Sequence, residues 1–171
     1  MPTDFFIGLC VLVVAFGVAH LAVTGWLANP FGAWISDPND PNNVTIEAAI
    51  REEIWKPTGK LTKADLNKLT ELNLESNQLT GLPKDLEKLT QLESLGLEGN
   101  QLTELPKALE KLDQLETLNL TSNQLTDVKG LEKLAQLTFL SLEDNPDLTK
   151  AQIDELQKAL PKCIIFSTPT K

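Results

Sequence analysis

Residues 69–79 read Leu-Thr-Glu-Leu-Asn-Leu-Glu-Ser-Asn-Gln-Leu, and related copies follow at residues 92–102, 115–125 and 137–148. Aligning the second leucine of each copy gives repeat lengths of 23, 23 and 22 residues, at Leu72, Leu95, Leu118 and Leu140. A nearly constant period in this range indicates an architecture of stacked repeats. One repeat alone cannot bury its leucines, but a stack can.

The spacing inside each copy predicts its local structure. Residues 72–74 alternate apolar and polar side chains with the period of two that is typical of a short strand. An asparagine follows each strand at a constant offset, at Asn77, Asn100, Asn123 and Asn145. Its amide can bond to backbone groups where the chain turns, so stacked copies predict an asparagine ladder. On the returning limb, over residues 86–92, leucine recurs every third residue, as in a 3₁₀ helix.

The pattern L-x-x-L-x-L-x-x-N-x-L resembles that of the leucine-rich repeat family over about the last two thirds of the chain. The resemblance implies an α/β solenoid with short parallel strands on its concave face, short helical or 3₁₀ segments on its convex face, and helical caps. Leu82-Pro83 and Leu105-Pro106 match the repeat type of 23 residues. The shorter limb at residues 127–130 resembles the 22-residue type of internalin-like bacterial surface proteins.

An apolar segment precedes the repeats. Residues 5–28 contain no Asp, Glu, Lys or Arg, and as a helix they would extend about 36 Å, which exceeds the roughly 30 Å of a bilayer's hydrocarbon core. Aromatic side chains suited to the membrane interface flank this segment at Phe5, Phe6, Trp26 and Trp34. We therefore expect a single-pass transmembrane helix. The alternative is a cleaved signal peptide, although the segment is longer than the usual apolar region and no Lys or Arg precedes it.

The sequence leaves open the side of the membrane and the roles of the histidine and the two cysteines. No Lys or Arg lies near either end of the expected helix, so the side of the membrane is not predicted. His20, the one histidine, is either a functional group in the membrane or a neutral hydrogen-bonded residue. Cys10 and Cys163 lie in segments that should not meet, so no internal disulfide is expected. We expect Cys163 to be buried in the C-terminal cap, the alternative being a reactive thiol.

The order of these segments predicts five regions. They are an anchor and interfacial segment at 1–35, a linker at 36–45, an N-terminal helical cap at 46–68, the repeats at 69–148, and a C-terminal cap at 149–171. Thr45 is expected to begin the N-terminal helix. In that helix Ile46 and Ile50 share one face. Thr149 and Gln152 have the spacing of a capping box that opens the C-terminal helix, and Ile153, Leu156 and Leu160 form the apolar face of that helix. A last strand is expected at residues 163–166.

Charge and residue chemistry exclude several functions. The formal net charge of -9 and the low pI argue against nucleic acid as a partner, because phosphate binding needs a basic surface. No spacing of histidine, cysteine, acids or glycines matches a nucleophile with its base, a metal site or a phosphate loop. We therefore expect no enzymatic activity, no cofactor and no metal.

The resemblance implies that the concave strand face is the binding surface. Its candidate contact residues lie between and just after the paired leucines: Glu71, Asn73, Glu75, Ser94, Glu98, Thr117, Asn119, Thr121, Phe139, Ser141, Glu143 and Asp144. This set contains five acids and no Lys or Arg, which suggests a protein partner with basic or hydroxyl-rich character. The alternative is that the polar face only keeps the repeats soluble. Phe139 is either an exposed contact residue or a residue that packs against the C-terminal cap.

The expected function is a membrane-anchored, non-catalytic protein-interaction module. An alternative is an accessory subunit of a membrane protein complex, held mainly by the transmembrane helix. A third possibility, if the first segment is a cleaved signal, is a secreted internalin-like adhesin. The oligomeric state and the identity of the partner are not predicted.

Overall fold

The structure, a computed structural model, describes residue 37 and residues 39–168. Among these residues five short parallel strands form one sheet in the order β1-β2-β3-β4-β5. They are β1 Glu71–Asn73, β2 Ser94–Gly96, β3 Thr117–Asn119, β4 Phe139–Ser141 and β5 Ile164–Phe166. The register places the central leucines of β1 to β4 side by side. The repeat alignment made from the sequence is therefore confirmed.

The repeat leucines fill one continuous core. The central leucine of each of the first four strands is buried. The returning limbs add a second layer, in which Leu86, Leu89 and Leu92 are fully buried. All of these side chains belong to one cluster that runs through every repeat. Burial of any one repeat thus depends on its neighbours.

Each returning limb forms a 3₁₀ helix, as the leucine spacing predicted. The three helices are Lys84–Lys88, Lys107–Lys111 and Leu131–Lys133. The first two begin directly after Pro83 and Pro106, which have extended backbone conformations. The shorter third limb has Gly130 at this point, with a φ of 92°. Glycine adopts this left-handed conformation without a steric penalty, and the limb can therefore turn with fewer residues.

The asparagine ladder joins each repeat to the one before it. The Asn100 side chain donates hydrogen bonds to the carbonyl oxygens of Leu97, in its own repeat, and Leu74, in the preceding repeat, each at 2.9 Å. Its Oδ1 accepts a hydrogen bond from the backbone N–H of Leu79 at 2.9 Å. Asn123 and Asn145 make the same two kinds of contact one and two repeats further on. The predicted ladder is confirmed.

The N-terminal cap begins earlier than expected. Helix α1 spans Pro41–Glu53. The prediction that Thr45 begins this helix is therefore wrong, and residues 41–45 of the predicted linker 36–45 belong to the helix. Asp40 accepts a hydrogen bond at 2.9 Å from the backbone N–H two residues further on, as a helix N-cap does. Pro41 fits the first turn because that position needs no N–H donor. The same residue types also form turns, which is why the sequence alone suggested a linker.

The cap covers the first repeat in two parts. Ile46 and Ile50 are fully buried, as their spacing on one helix face predicted, and α1 packs against β1. A single-turn helix, α2 Lys63–Leu66, follows and contributes its last leucine to the core. The Asn42 Oδ1 accepts a hydrogen bond from the backbone N–H of Thr80 at 2.9 Å. This bond ties α1 to the turn of the first repeat.

The C-terminal cap combines a helix, α3 Lys150–Ala159, with β5. Thr149 and Gln152 form the predicted capping box. The apolar face predicted for α3 is buried at Ile153, Leu156 and Leu160. Strand β5 pairs in parallel with β4 and so extends the sheet by one strand beyond the repeats. The predicted last strand is confirmed.

The expected transmembrane helix over residues 5–28 lies outside the described residues. The same is true of its flanking aromatic residues, Phe5, Phe6, Trp26 and Trp34, and of His20 and Cys10. Among residues 39–168, none of the helices has the length and apolar character that crossing a bilayer requires.

We expect Asn100→Ala to lower the free energy of unfolding by at least about 2 kcal/mol, because it leaves two buried carbonyls and a buried N–H without partners. The matched control is Asn77→Ala, which removes one exposed hydrogen bond to the carbonyl of Glu75 and should cost less than about 1 kcal/mol. Urea denaturation followed by circular dichroism measures both. Equal losses in the two variants would contradict a ladder that stabilises the interior of the stack.

Candidate interaction surface

We call the strand face the set of residues that point away from the core on β1 to β5 and in the turns directly after them. Most of the predicted contact residues are accessible there. Glu71, Asn73, Glu75, Glu98, Phe139 and Asp144 are exposed, and Ser94, Thr117, Asn119, Thr121 and Glu143 are half-buried. Because the parallel register stacks equivalent positions, each repeat position forms a row across this face.

One of these rows is acidic. Glu75, Glu98 and Glu143 occupy the third position after the central leucine of their strands, and we call them the acidic row. Two of the carboxylates lean over the next strand. Glu98 Oε2 accepts a hydrogen bond from Asn119 Nδ2 at 2.9 Å. A Cβ atom placed on Gly96 would lie 3.1 Å from Glu75 Oε1, so the missing side chain leaves room for that carboxylate over β2.

The lysines of the repeats lie on the opposite side, along the returning limbs. They are Lys84, Lys88, Lys107, Lys111, Lys129 and Lys133. Several of them pair with acids of the limbs: Lys133 Nζ is 2.6 Å from Glu110 Oε2, and Lys129 pairs with Asp127. No ion pair among the described residues reaches the acidic row. The strand face therefore carries acids without cations, whereas the lysines of the repeats lie on the returning limbs together with acids.

An apolar patch lies at the C-terminal end of the strand face. It consists of Phe139 on β4 and of Ile164 and Phe166 on β5, which are 37%, 60% and 45% exposed. The rings of Phe139 and Phe166 are 5.4 Å apart between centroids, with planes tilted by 40°, a favourable arrangement for an aromatic pair. Phe139 thus packs against the cap, as one alternative expected, and it stays accessible to solvent.

Sequence reasoning missed Ile164 and Phe166 as surface residues. The signal was available, because alternation along the predicted last strand places these two residues on the same face. The register sets Ile164 beside Phe139 and Phe166 beside Ser141. The cap therefore contributes directly to the strand face.

Ser141, one of the predicted contact residues, is not accessible on the strand face. The structure leaves it only 5% exposed, and its Oγ lies 2.6 Å from Thr121 Oγ1. The physical reason is its position between two strands. Larger side chains flank it at the same register, Asn119 on β3 and Phe166 on β5, and they shield the short hydroxymethyl group from solvent.

Cys163 is buried in the C-terminal cap, as expected. Burial raises the pKa of its thiol above the ordinary value, because an apolar environment disfavours the thiolate. The thiolate is the reactive form of cysteine, and a raised pKa lowers its fraction. We therefore assign Cys163 a role in packing. Among the described residues, no three side chains of the metal-ligating types come together as a site.

Parallel strands in register, 3₁₀ helices on the returning limbs and a continuous asparagine ladder together define a leucine-rich repeat solenoid. A family model described as "Leucine-rich repeat and WD repeat-containing protein 1, LRR" matches residues 53–166, and the chain belongs to this leucine-rich repeat family. Among curated protein sequences, none matches this chain.

Three solved structures of bacterial proteins have a similar fold. A leucine-rich repeat protein of Leptospira interrogans is 38% identical over 62% of this chain and 28% of its own, with a TM-score of 0.55. Internalin C2 of Listeria monocytogenes is 23% identical over 77% of this chain and 60% of its own, with a TM-score of 0.63. The functional domain of the internalin InlJ, also from Listeria monocytogenes, is 25% identical over 74% of this chain and 27% of its own, with a TM-score of 0.58. The chain thus spans less than two thirds of the length of these structures.

We expect Ser141→Ala to lower the free energy of unfolding by about 1 kcal/mol, because it breaks a shielded hydroxyl–hydroxyl hydrogen bond. Ser94→Ala is the matched control, since Ser94 lies on the same face but is more accessible; its change should stay within about 0.5 kcal/mol. Thermal unfolding measures both. A larger loss of unfolding free energy for Ser94→Ala than for Ser141→Ala would contradict a shielded hydrogen bond at Ser141.

Proposed function

We propose that this protein is a non-catalytic interaction module that presents its strand face to a protein partner while residues 5–28 hold it at a membrane. The observation that carries the proposal is the composition of that face. It combines a row of acids with an exposed aromatic pair and lacks Lys and Arg, whereas the lysines of the repeats lie on the returning limbs. Polar surfaces that include exposed aromatic contact residues are typical of protein–protein interfaces.

The distribution of reactive groups supports a non-catalytic role. Carboxylates follow the repeat and therefore spread along the solenoid instead of converging on one cleft. The one described cysteine is buried and its thiol is less acidic than usual. A nucleophile needs a neighbouring base within hydrogen-bonding distance, and the one histidine of the chain, His20, belongs to the apolar segment.

Membrane attachment rests on the sequence of residues 5–28, which is long enough and apolar enough to cross a bilayer. A tether of this kind confines the repeats to a thin layer and raises their effective concentration for a partner in the same membrane. Four repeats offer only a short contact surface. The higher effective concentration would therefore add to a modest binding affinity. The repeats would then find their partner near the bilayer.

A second candidate is an accessory subunit of a membrane complex, held through its helix. The observation that favours it is His20 in the middle of an uncharged apolar segment, because a polar group at that depth usually faces another helix. In that case substitutions on the strand face change little, whereas replacement of residues 5–28 by an unrelated apolar helix releases the protein from the complex.

Photo-crosslinking in native membranes tests the strand face. We expect a photoreactive amino acid at Asn73 or Thr117 to form one defined crosslinked product with another protein, because both side chains lie on the proposed contact surface. The matched controls carry the same group at Glu87 or Asp113, which are exposed on the returning limbs. Products that form only from the control positions, or from none of the four, would overturn the proposal.

Membrane attachment has its own test. We expect the full-length chain to remain in the membrane pellet after alkaline carbonate extraction, with Met1 or Pro2 at its N-terminus by mass spectrometry, because an uncleaved apolar helix stays in the bilayer. A control that begins at residue 37 should be found in the supernatant. A mature chain that begins after the apolar segment would instead indicate a cleaved signal and a secreted adhesin.

A further inference from the structure

The apolar patch is unusual within this surface because the equivalent positions of the earlier strands are polar. Phe139 stands where the preceding strands have Glu71, Ser94 and Thr117. Beyond it, β5 adds Ile164, which is 60% exposed, and Phe166. An exposed aromatic pair beside an aliphatic side chain offers a place for one bulky apolar group.

Acids follow the strand that carries Phe139 and extend away from the patch. Glu143 and Asp144 come after β4, separated from it by one residue. Further along the strand face, the Glu98 carboxylate is held towards β3 by Asn119, and that of Glu75 lies over β2. A ligand that places an apolar group on the patch therefore meets negative charge next to it and again two strands away.

The spacing fits an extended polypeptide that crosses the strands. Neighbouring strands lie about 4.8 Å apart, so the distance from the patch on β4 and β5 to the carboxylate over β2 is roughly 10–14 Å. An extended segment rises about 3.3 Å per residue and covers this distance in about three to four residues. The side chains between, such as Ser94 and Thr117, are short and polar and leave room for a backbone.

Charge decides between the possible occupants. A second copy of this chain would bring a second set of acids against the first, because the net charge is -9 and the strand face carries acids without Lys or Arg. The chain's own apolar segment, residues 5–28, carries no Lys or Arg to pair with them. A cationic segment satisfies both parts of the surface.

We infer that the strand face binds an extended, cationic segment of a partner protein, with one bulky apolar side chain on Phe139, Ile164 and Phe166 and basic side chains along Glu143, Glu98 and Glu75. This inference rests on the proposed function and specifies the chemistry of the partner. The apolar residue fixes the position of the segment, and the acids select for positive charge and speed its encounter with the surface.

Fluorescence anisotropy of the full-length chain in detergent micelles, with short synthetic peptides as probes, tests the inference. The lead peptide has a Gly/Ser/Thr background with one Trp, an Arg beside it, and a second Arg about four residues away. One comparison peptide has Ala in place of Trp, and another has Glu in place of both Arg. We expect each comparison peptide to bind at least about tenfold more weakly than the lead peptide, and the lead peptide to weaken as salt increases.

Protein variants assign these effects to residues. The double substitution Phe139→Thr with Phe166→Thr should weaken binding of the lead peptide about tenfold. It should leave the affinity of the Ala peptide unchanged, because that peptide has no Trp to contact the two phenylalanines. Threonine suits a strand and already occupies the position equivalent to Phe139 in β3. Glu75→Gln with Glu98→Gln should weaken the lead peptide and reduce its salt dependence. Val44→Ala and Glu104→Gln are matched controls away from the strand face, and circular dichroism melting checks the fold of every variant.

Several results would overturn the inference. These are equal binding of the lead and Ala peptides, no binding of any peptide, or an unchanged affinity in the double Phe variant. Self-association that the double Phe variant abolishes would instead assign the patch to a second copy of the chain. If crosslinking from Asn73 and Thr117 still captures a partner, the proposed function stands and only the partner chemistry is wrong. If that crosslinking also fails, both fail.

Discussion

The fold depends on the asparagine in the turn that follows each strand. Its amide donates to a carbonyl of its own repeat and to one of the repeat before, and its oxygen accepts an N–H of the preceding turn. The turn of one repeat is therefore satisfied only when the next repeat is in place and in register. Unpaired buried backbone groups are costly, and the leucine core is buried only by stacking. Both requirements impose the same arrangement, in which equivalent residues lie side by side.

The register that the ladder imposes also organises the surface. Because each repeat position becomes a row, a glutamate used at one position in several repeats becomes a line of negative charge, as at Glu75, Glu98 and Glu143. Lysines at a different repeat position line the returning limbs instead. Charge segregation by face thus needs no long-range design, since it follows from residue choice at a few repeated positions. A single departure within the repeats, such as Phe139 after Glu71, Ser94 and Thr117, changes the chemistry locally.

The sequence predicted those features that periodicity determines. The strands, the 3₁₀ limbs, the ladder and the buried face of α3 follow from spacing that recurs, and all are present in the structure. The misses lie where neighbours from outside the repeats decide the outcome. Ser141 is buried because β5, part of the cap, lies beside it, and α1 begins at Pro41 because Asp40 caps it, although the same residues also suit a turn. Ile164 and Phe166 required the register of the last strand.

The two caps close the stack in different ways, and the strand face therefore differs between its two ends. The N-terminal end is covered by a helix, α1, which packs against β1 and ends the sheet. At the other end β5 adds a strand, so the sheet continues past the last repeat with residues that the repeat pattern does not constrain. Apolar side chains placed there are displayed on the face, whereas Ile46 and Ile50 of α1 are buried against the first repeat. Consensus positions thus build the scaffold, and the residues that depart from the consensus, in the last repeat and its cap, give one end of this short solenoid a surface chemistry of its own.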